Sequence, residues 1–171
     1  MLKKVNTATL LVVLVSASLA SAQTKAAKQS SVGVWKVDLK QSKFTSDAPP
    51  KSGTLTILKD TPDAMAWRYE GVDATGKSST VSWSGPLDGS MQDMKAADGQ
   101  VLPGKQSMKR DGDFILRHLE VPNVGTFDSR VTTSADGNTF TDVVTMKSQD
   151  GKTATDTVVF HRGAGAKPAT K

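Results

Sequence analysis

The chain has 171 residues, no cysteine and a formal charge of +5 at pH 7. Without cysteine no disulfide can form, so packing and strand pairing must stabilise the fold. The positive charge belongs to the two ends. Between Gly33 and Arg162 there are 16 lysines and arginines against 17 aspartates and glutamates, a net charge of −1. Because these basic residues are scattered singly, we expect no nucleic-acid partner.

Residues 1–22 have the pattern of a cleavable signal peptide. Lys3 and Lys4 precede a mostly apolar run over residues 8–20, which ends in the small-x-small sequence Ala20-Ser21-Ala22. The run is shorter than the roughly 20 apolar residues that a spanning helix needs. We therefore expect cleavage after Ala22, a periplasmic or secreted protein of the bacterial envelope, and no stable membrane insertion after cleavage.

Two polar segments flank the predicted domain. Residues 23–31 and residues 163–171 are small and polar and cannot bury enough apolar surface to offset the entropy lost on ordering. We expect both to be flexible tails. Residues 32–162 are then a single domain of ordinary size.

The first predicted strand carries a short motif. In Gly33–Leu39, apolar side chains at Trp35, Val37 and Leu39 alternate with polar ones, as in a strand with one buried face. Together with Lys40-Gln41-Ser42-Lys43-Phe44, this segment resembles the G-x-W-K…S-K/N-F opening of the calycin barrels, which include lipocalins and fatty-acid-binding proteins.

The resemblance extends over residues 33–162. This stretch is similar to a group of exported lipocalin-like bacterial proteins of unassigned function, in which the opening precedes a proline-containing loop, here Pro49-Pro50, and D-G-K hairpins, here Asp150-Gly151-Lys152. The resemblance implies that Gly33 and Trp35 belong to a closed end of a barrel. It also implies that Arg162, from the last strand, lies across the indole of Trp35 in a cation–π contact.

Glycine-containing turn signals follow one another at regular intervals. Most are ten to fourteen residues apart, and the one long gap contains Pro122-Asn123-Val124-Gly125. Most of these signals are Asp-Gly pairs, which favour type I′ hairpin turns, whose two central residues have positive φ. The pairs are Thr75-Gly76, Asp88-Gly89, Asp98-Gly99, Asp111-Gly112, Asp136-Gly137 and Asp150-Gly151.

The segments between these turns alternate with a period of two, so the chain is predicted to be all-β. We expect an antiparallel meander that closes into a lipocalin-like or fatty-acid-binding-protein-like barrel of eight to ten strands. An eight-stranded barrel with two extra ribbon strands fits equally well, and a two-sheet sandwich is the main alternative. The predicted strands are 33–39, 53–60, 64–71, 78–85, 90–96, 105–110, 113–121, 124–133, 138–147 and 153–162.

The segment Gly71–Ser78 matches the P-loop pattern G-x-x-x-x-G-K-[ST]. A P-loop must lead into a helix whose N-terminus receives the phosphates. The residues that follow Ser78 alternate like a strand, so we interpret the match as a hairpin turn and expect no nucleotide binding.

Sites for metal binding and catalysis are not indicated. His118 and His161 are the only histidines, and neither belongs to an H-x-H or H-x-x-x-H pair. No G-x-S-x-G elbow or marked pair of carboxylates is present. We therefore expect no cofactor and no enzymatic activity.

The predicted function is binding of a small apolar or amphipathic ligand inside the barrel. The methionines at positions 65, 91, 94, 108 and 146 either line an adaptable pocket or fill gaps in a core. The alternative function is that of a filled barrel that contacts an unknown protein partner in the envelope. Aromatic and aliphatic residues on apolar faces are the candidate ligand contacts: Trp67, Tyr69, Trp83, Phe114, Leu116 and Phe127.

Overall fold

Ten antiparallel strands form a closed barrel in the computed structural model, which describes residues 30–45 and 48–163. The predicted signal peptide, residues 23–29 of the predicted N-terminal tail and residues 164–171 of the C-terminal tail lie outside the described residues. The described part contains no helix that could cross a membrane. The strands are β1 (Gly33–Val37), β2 (Ser52–Asp60), β3 (Ala64–Val72), β4 (Ser78–Pro86), β5 (Gln92–Ala96), β6 (Val101–Asp111), β7 (Phe114–Val121), β8 (Gly125–Thr133), β9 (Thr139–Ser148) and β10 (Thr153–Arg162).

Each strand pairs with the next one along the chain, and β1 closes the barrel by pairing with β10. In this last pairing Trp35 lies opposite Arg162, and Val37 lies opposite Phe160. The predicted antiparallel meander and its closure are confirmed. The barrel uses all ten strands, so the eight-stranded alternative and the sandwich alternative are wrong.

The hairpin turns differ from the predicted type. At Gly99 and Gly151 the glycine has a φ of 85° and 82°, whereas the aspartate before each has a negative φ. The amide of Gly99 donates to the carbonyl of Ala96, and the amide of Ala96 donates to the carbonyl of Gln100. This is a three-residue loop with a type I turn and a glycine bulge, not a type I′ turn. Only the glycine then needs the left-handed conformation.

The core lies inside the barrel as two apolar clusters. Both use alternate residues of each strand, because successive side chains of a strand point to opposite faces. One cluster joins the indole of Trp35 to the ring of Phe140, 4.6 Å away between centroids, and Phe140 stacks on Phe160. The other contains Met65, Trp67, Trp83, Leu87, Met94, Met108 and Ile115.

A cavity inside the barrel

A cavity of about 360 Å³ lies in the barrel interior between these clusters. This volume is within the usual range for small-molecule sites. The wall is mostly apolar and includes three of the five methionines considered above, at positions 65, 94 and 108. The other apolar wall residues are Leu55, Ile57, Trp67, Tyr69, Val81, Ile115, Leu119, Val131, Phe140, Val144, Val158 and Phe160.

One end of the cavity carries an ion pair between residues of β2 and β6. Asp60 ends β2 and Arg110 comes just before the β6–β7 turn, and the guanidinium lies 2.5 Å from the carboxylate. Arg110 also donates to the carbonyl of Thr61, and the hydroxyl of Ser31 donates to Asp60. Both charged side chains are largely buried, and each one neutralises the charge of the other in this poorly solvated place.

A second ion pair lies inside the barrel, between β7 and β9. The Arg117 guanidinium donates to the Asp142 carboxylate at 3.0 Å and to the hydroxyl of Ser129, on the intervening strand β8, at 2.6 Å. The side chain of Asp142 is 10% exposed and that of Arg117 is 23% exposed. The remaining oxygen of Asp142 is buried and has no hydrogen-bond partner among the described residues.

Gln106 is the most deeply buried polar residue of the described wall, with 0% exposure. Its backbone carbonyl accepts a hydrogen bond from the indole nitrogen of Trp83 at 3.3 Å. Its side-chain oxygen and nitrogen have no partner in the described part of the chain. A buried amide with both atoms unpaired is unusual, because buried polar groups in folded proteins are normally hydrogen-bonded.

Two of the six candidate ligand contacts, Trp67 and Tyr69, lie in the cavity wall. Trp83 is 2% exposed and points inward, but it packs in the core cluster outside the wall. Phe127 is half-buried beside Leu119 in the β7–β8 register and also lies outside the wall.

Phe114 and Leu116 are on the outer face of β7, so the predicted inward face of this strand is wrong. Leu116 is 37% exposed, and the guanidinium of Arg130 lies 3.4 Å above the ring of Phe114. The inward side chains are Ile115, Arg117 and Leu119. Phe114 and Leu116 make the start of the outer face apolar, and Arg117 interrupts the apolar residues of the inner face, so alternation alone does not identify the inner face.

The polar residues of the cavity were not predicted. Their sequence signal is a polar residue inside an apolar stripe of period two. In β9, Asp142 falls between Phe140 and Val144, and in β7, Arg117 falls between Ile115 and Leu119. Such an interruption on an inward face indicates either a paired buried charge or a group that meets a ligand.

The end of the barrel named by the calycin resemblance is tightly packed. Trp35 is 0% exposed, its indole nitrogen donates to the carbonyl of Ser31 at 2.8 Å, and the Arg162 guanidinium lies 4.2 Å from the ring centroid. This is the arrangement that the resemblance implies. Gly33 has a φ of 142°, which other residues rarely adopt.

The two histidines lie on the outer surface, far apart in the strand order. His118 on β7 contacts Asp128 and Glu120, and His161 on β10 lies 3.2 Å from Asp38. Asp128, and to a lesser degree Glu120, raises the pKa of His118 by hydrogen bonding to its ring. Within the described residues there is no group of three or more potential metal ligands.

The P-loop-like segment is the β3–β4 hairpin. Its loop lies between Val72 and Ser78, and the amide of Gly76 donates to the carbonyl of Asp73. The carboxylate of Asp73 accepts hydrogen bonds from the amide and hydroxyl of Thr75 and from the amide of Lys77. Strand β4, not a helix, follows the loop, as predicted.

The barrel is similar to barrels of known structure. The zebrafish ileal bile acid-binding protein, crystallised with cholic acid, superposes with a TM-score of 0.50 over 78% of this chain and 100% of its own, at 13% identity. The fold is calycin-like. A fatty acid-binding protein from the brain of Drosophila melanogaster gives a TM-score of 0.47 at 15% identity over 77% of this chain and 99% of its own. No family model and no curated protein matches the chain.

Proposed function

We propose that this protein is an exported, non-enzymatic barrel that binds one small amphipathic molecule in its interior. The observation that carries the proposal is the cavity of about 360 Å³, whose wall is mostly apolar with a few buried polar groups. This combination is typical of ligand sites, in which apolar surface gives affinity and a few polar atoms fix orientation. A filled barrel acting as a protein-interaction module would have no use for such a volume.

Two further observations support the proposal. The calycin-like fold is shared with a zebrafish protein that was crystallised with cholic acid, an amphipathic molecule. Three methionines in the wall provide flexible, polarisable side chains that adapt to ligands of different shape.

Export is the second part of the proposal, and it is supported by the sequence of residues 1–22. Intact mass and N-terminal sequencing of protein from the envelope fraction test this part. A mature form that begins at Gln23 is expected, and a membrane-embedded form that keeps Met1 would contradict it.

Ligand binding is tested by filling the cavity from one strand. Val144 lies in the wall, whereas its neighbour Val143 is on the outer face and 41% exposed. In Val144→Phe the added ring occupies cavity volume, and in the matched control Val143→Phe it enters solvent. Titration with the neutral fluorophore 1-aminoanthracene, followed by its own emission and by quenching of Trp67, measures binding.

We expect binding to the unmodified protein and to Val143→Phe, and affinity at least about tenfold weaker for Val144→Phe. The variant Trp67→Phe should remove most of the tryptophan quenching, because Trp35 and Trp83 lie outside the described wall. Equal binding to both phenylalanine variants, or no binding to any form, would contradict the proposal.

A further inference from the structure

The cavity occupies only part of the length of the barrel. Strands β3, β7 and β9 all start at the end that carries the ion pair of Asp60 and Arg110, and each contributes the first, third and fifth residues of one stretch to the wall. All three strands continue beyond the fifth residue, but their later described residues do not belong to the wall. The stretches are Met65–Tyr69 on β3, Ile115–Leu119 on β7 and Phe140–Val144 on β9.

The ring of Tyr69 ends the cavity on the side formed by β2 and β3. The next inward positions on these strands are Gly53 and Gly71, which lie opposite each other in the register and have no side chain. A β-carbon on Gly71 would be 2.8 Å from a ring carbon of Tyr69, and a β-carbon on Gly53 would meet the phenol oxygen. The ring therefore lies over both glycines and fills the space into which the cavity would otherwise continue.

The dimensions of the cavity limit the size of the molecule that it can hold. Four residue steps along a strand span about 13 Å, which the tilt of strands in a barrel reduces to about 10 Å along the barrel axis. An extended carbon chain advances roughly 1.2 Å per bond, so about nine or ten carbons fill this length. The volume of about 360 Å³ holds about twelve methylene-sized groups if each takes the roughly 30 Å³ of a molecule in liquid water.

We infer that this cavity selects compact amphipathic molecules whose apolar part is about ten carbons long, and that the ring of Tyr69 sets this limit. The inference rests on the proposed function and specifies the size class of the ligand for the same site. The polar group of the ligand lies at the end with Asp60 and Arg110, and the apolar part extends to the ring of Tyr69. A longer chain would have to displace the ring from the two glycines.

A series of 1-alkanols from hexanol to tetradecanol tests the limit, because these ligands carry no charge and differ only in chain length. Each alkanol competes with bound 1-aminoanthracene, and the displacement gives its affinity. A methylene group that enters an apolar site strengthens binding by about fourfold. In the unmodified protein we expect this rise up to a chain of about ten carbons and no further rise beyond it.

The variant Tyr69→Ala removes the ring and opens the space over the two glycines. The affinity should then rise for about three further carbons, so tetradecanol should bind at least about tenfold more tightly to this variant than to the unmodified protein. Tyr69→Leu keeps more of the packing and should move the limit in the same direction by fewer carbons. Phe114→Ala is the control, since it removes an aromatic ring from the outer face and should leave the limit unchanged.

An affinity that rises evenly through tetradecanol in the unmodified protein would overturn the inference, and this measurement needs no variant. A limit that stays at the same length in both Tyr69→Ala and Tyr69→Leu would also overturn it. If 1-aminoanthracene binds and one of these results is found, or if no alkanol displaces it, the inference fails and the proposed function stands. If neither the fluorophore nor any alkanol binds, both fail.

Discussion

The phenol ring of Tyr69 lies so close to Gly53 that a β-carbon on this glycine would come within 2.4 Å of the tyrosine oxygen. The same β-carbon would be 2.7 Å from a methyl group of Val37. Gly53 is buried on β2, and Tyr69 belongs to the cavity wall on β3. The absence of a side chain at Gly53 therefore sets the position of a ring that shapes the cavity.

We expect Gly53→Ala to destabilise the protein by about 1–3 kcal/mol, the usual cost of overpacking a well-filled interior. In the Gly53→Ala background, Tyr69→Phe should recover part of the lost stability, because it removes the hydroxyl oxygen that lies nearest to the added β-carbon. Denaturant unfolding of the two single variants and the double variant measures the coupling. Additive effects would show that the two side chains do not compete for the same space.

Tyr69 is the single tyrosine of the chain, so its ionisation can be followed without interference. Burial raises the pKa of its phenol above the ordinary value of 10.0. Absorbance at 295 nm should give a midpoint above 10 for the folded protein and about 10 in denaturant. The folded state disfavours the phenolate, so the unfolding free energy should fall as pH rises above the unfolded value. Coincident folded and denatured titrations would place the ring in water.

Replacement of Trp35 by alanine should cost about 3–5 kcal/mol, the range for removing a large buried aromatic side chain. The variant loses the contact with Phe140, the hydrogen bond to Ser31 and the cation–π contact with Arg162. Denaturant midpoints provide the measurement, with the exposed neighbour Lys36→Ala as the control, which should change stability by less than about 0.5 kcal/mol. A loss below about 1 kcal/mol for Trp35→Ala would contradict the packing described here.

His118 should make stability depend on pH. Its pKa is raised by Asp128 and then by Glu120, so the folded state favours the protonated ring. This stabilisation is complete below the unfolded value of about 6.5 and is lost as pH rises through the folded pKa. An NMR titration assigned with His118→Gln should give a midpoint above 6.5, and that variant should lose stability relative to the parent mainly at acidic pH. A midpoint at or below 6.5 would be inconsistent with the two carboxylate contacts.

Lys77→Ala should change the free energy of unfolding by less than about 0.5 kcal/mol. Neither the unmodified protein nor this variant should bind nucleotide. Lys77 is an exposed residue after the β3–β4 loop, and its backbone amide, not its side chain, contacts Asp73. Asp73→Ala is the contrasting variant, since it removes three hydrogen bonds and should lower the melting temperature more. Saturable binding of ATP with magnesium that disappears in Lys77→Ala would refute the hairpin interpretation.

The fold was largely predictable because its signals are local. The period-two alternation predicted the strand boundaries to within a few residues, except in β6, which begins at Val101 rather than at residue 105. Pro103 and Gly104 lie in that missed stretch and are poor strand formers, and the register between β5 and β6 shifts beside them. The turn type was missed because an Asp-Gly pair suits both a type I′ turn and a type I turn with a glycine bulge, and loop length decides between them.

The cavity was less predictable because it depends on which face of each strand turns inward. In β3 the apolar face of Trp67 and Tyr69 is unambiguous, and both side chains line the wall. In β7 apolar residues occupy both faces, so periodicity alone could not choose between Ile115 and Leu116. Gln106 gave no local signal, because its burial without a side-chain hydrogen-bond partner depends on strands that are distant in sequence.

The pairing of β1 with β10 also has a consequence for the order in which the molecule assembles. Every other neighbouring pair of strands is consecutive in the chain, whereas this pair joins Trp35 to Arg162. Closing so long a loop costs the most chain entropy of any pairing in the barrel. The folding transition must therefore bring the first and last strands together after the sequential hairpins have shortened the effective distance between them. Loss of this pairing would leave the first and last strands as free edges and would open the barrel along its length.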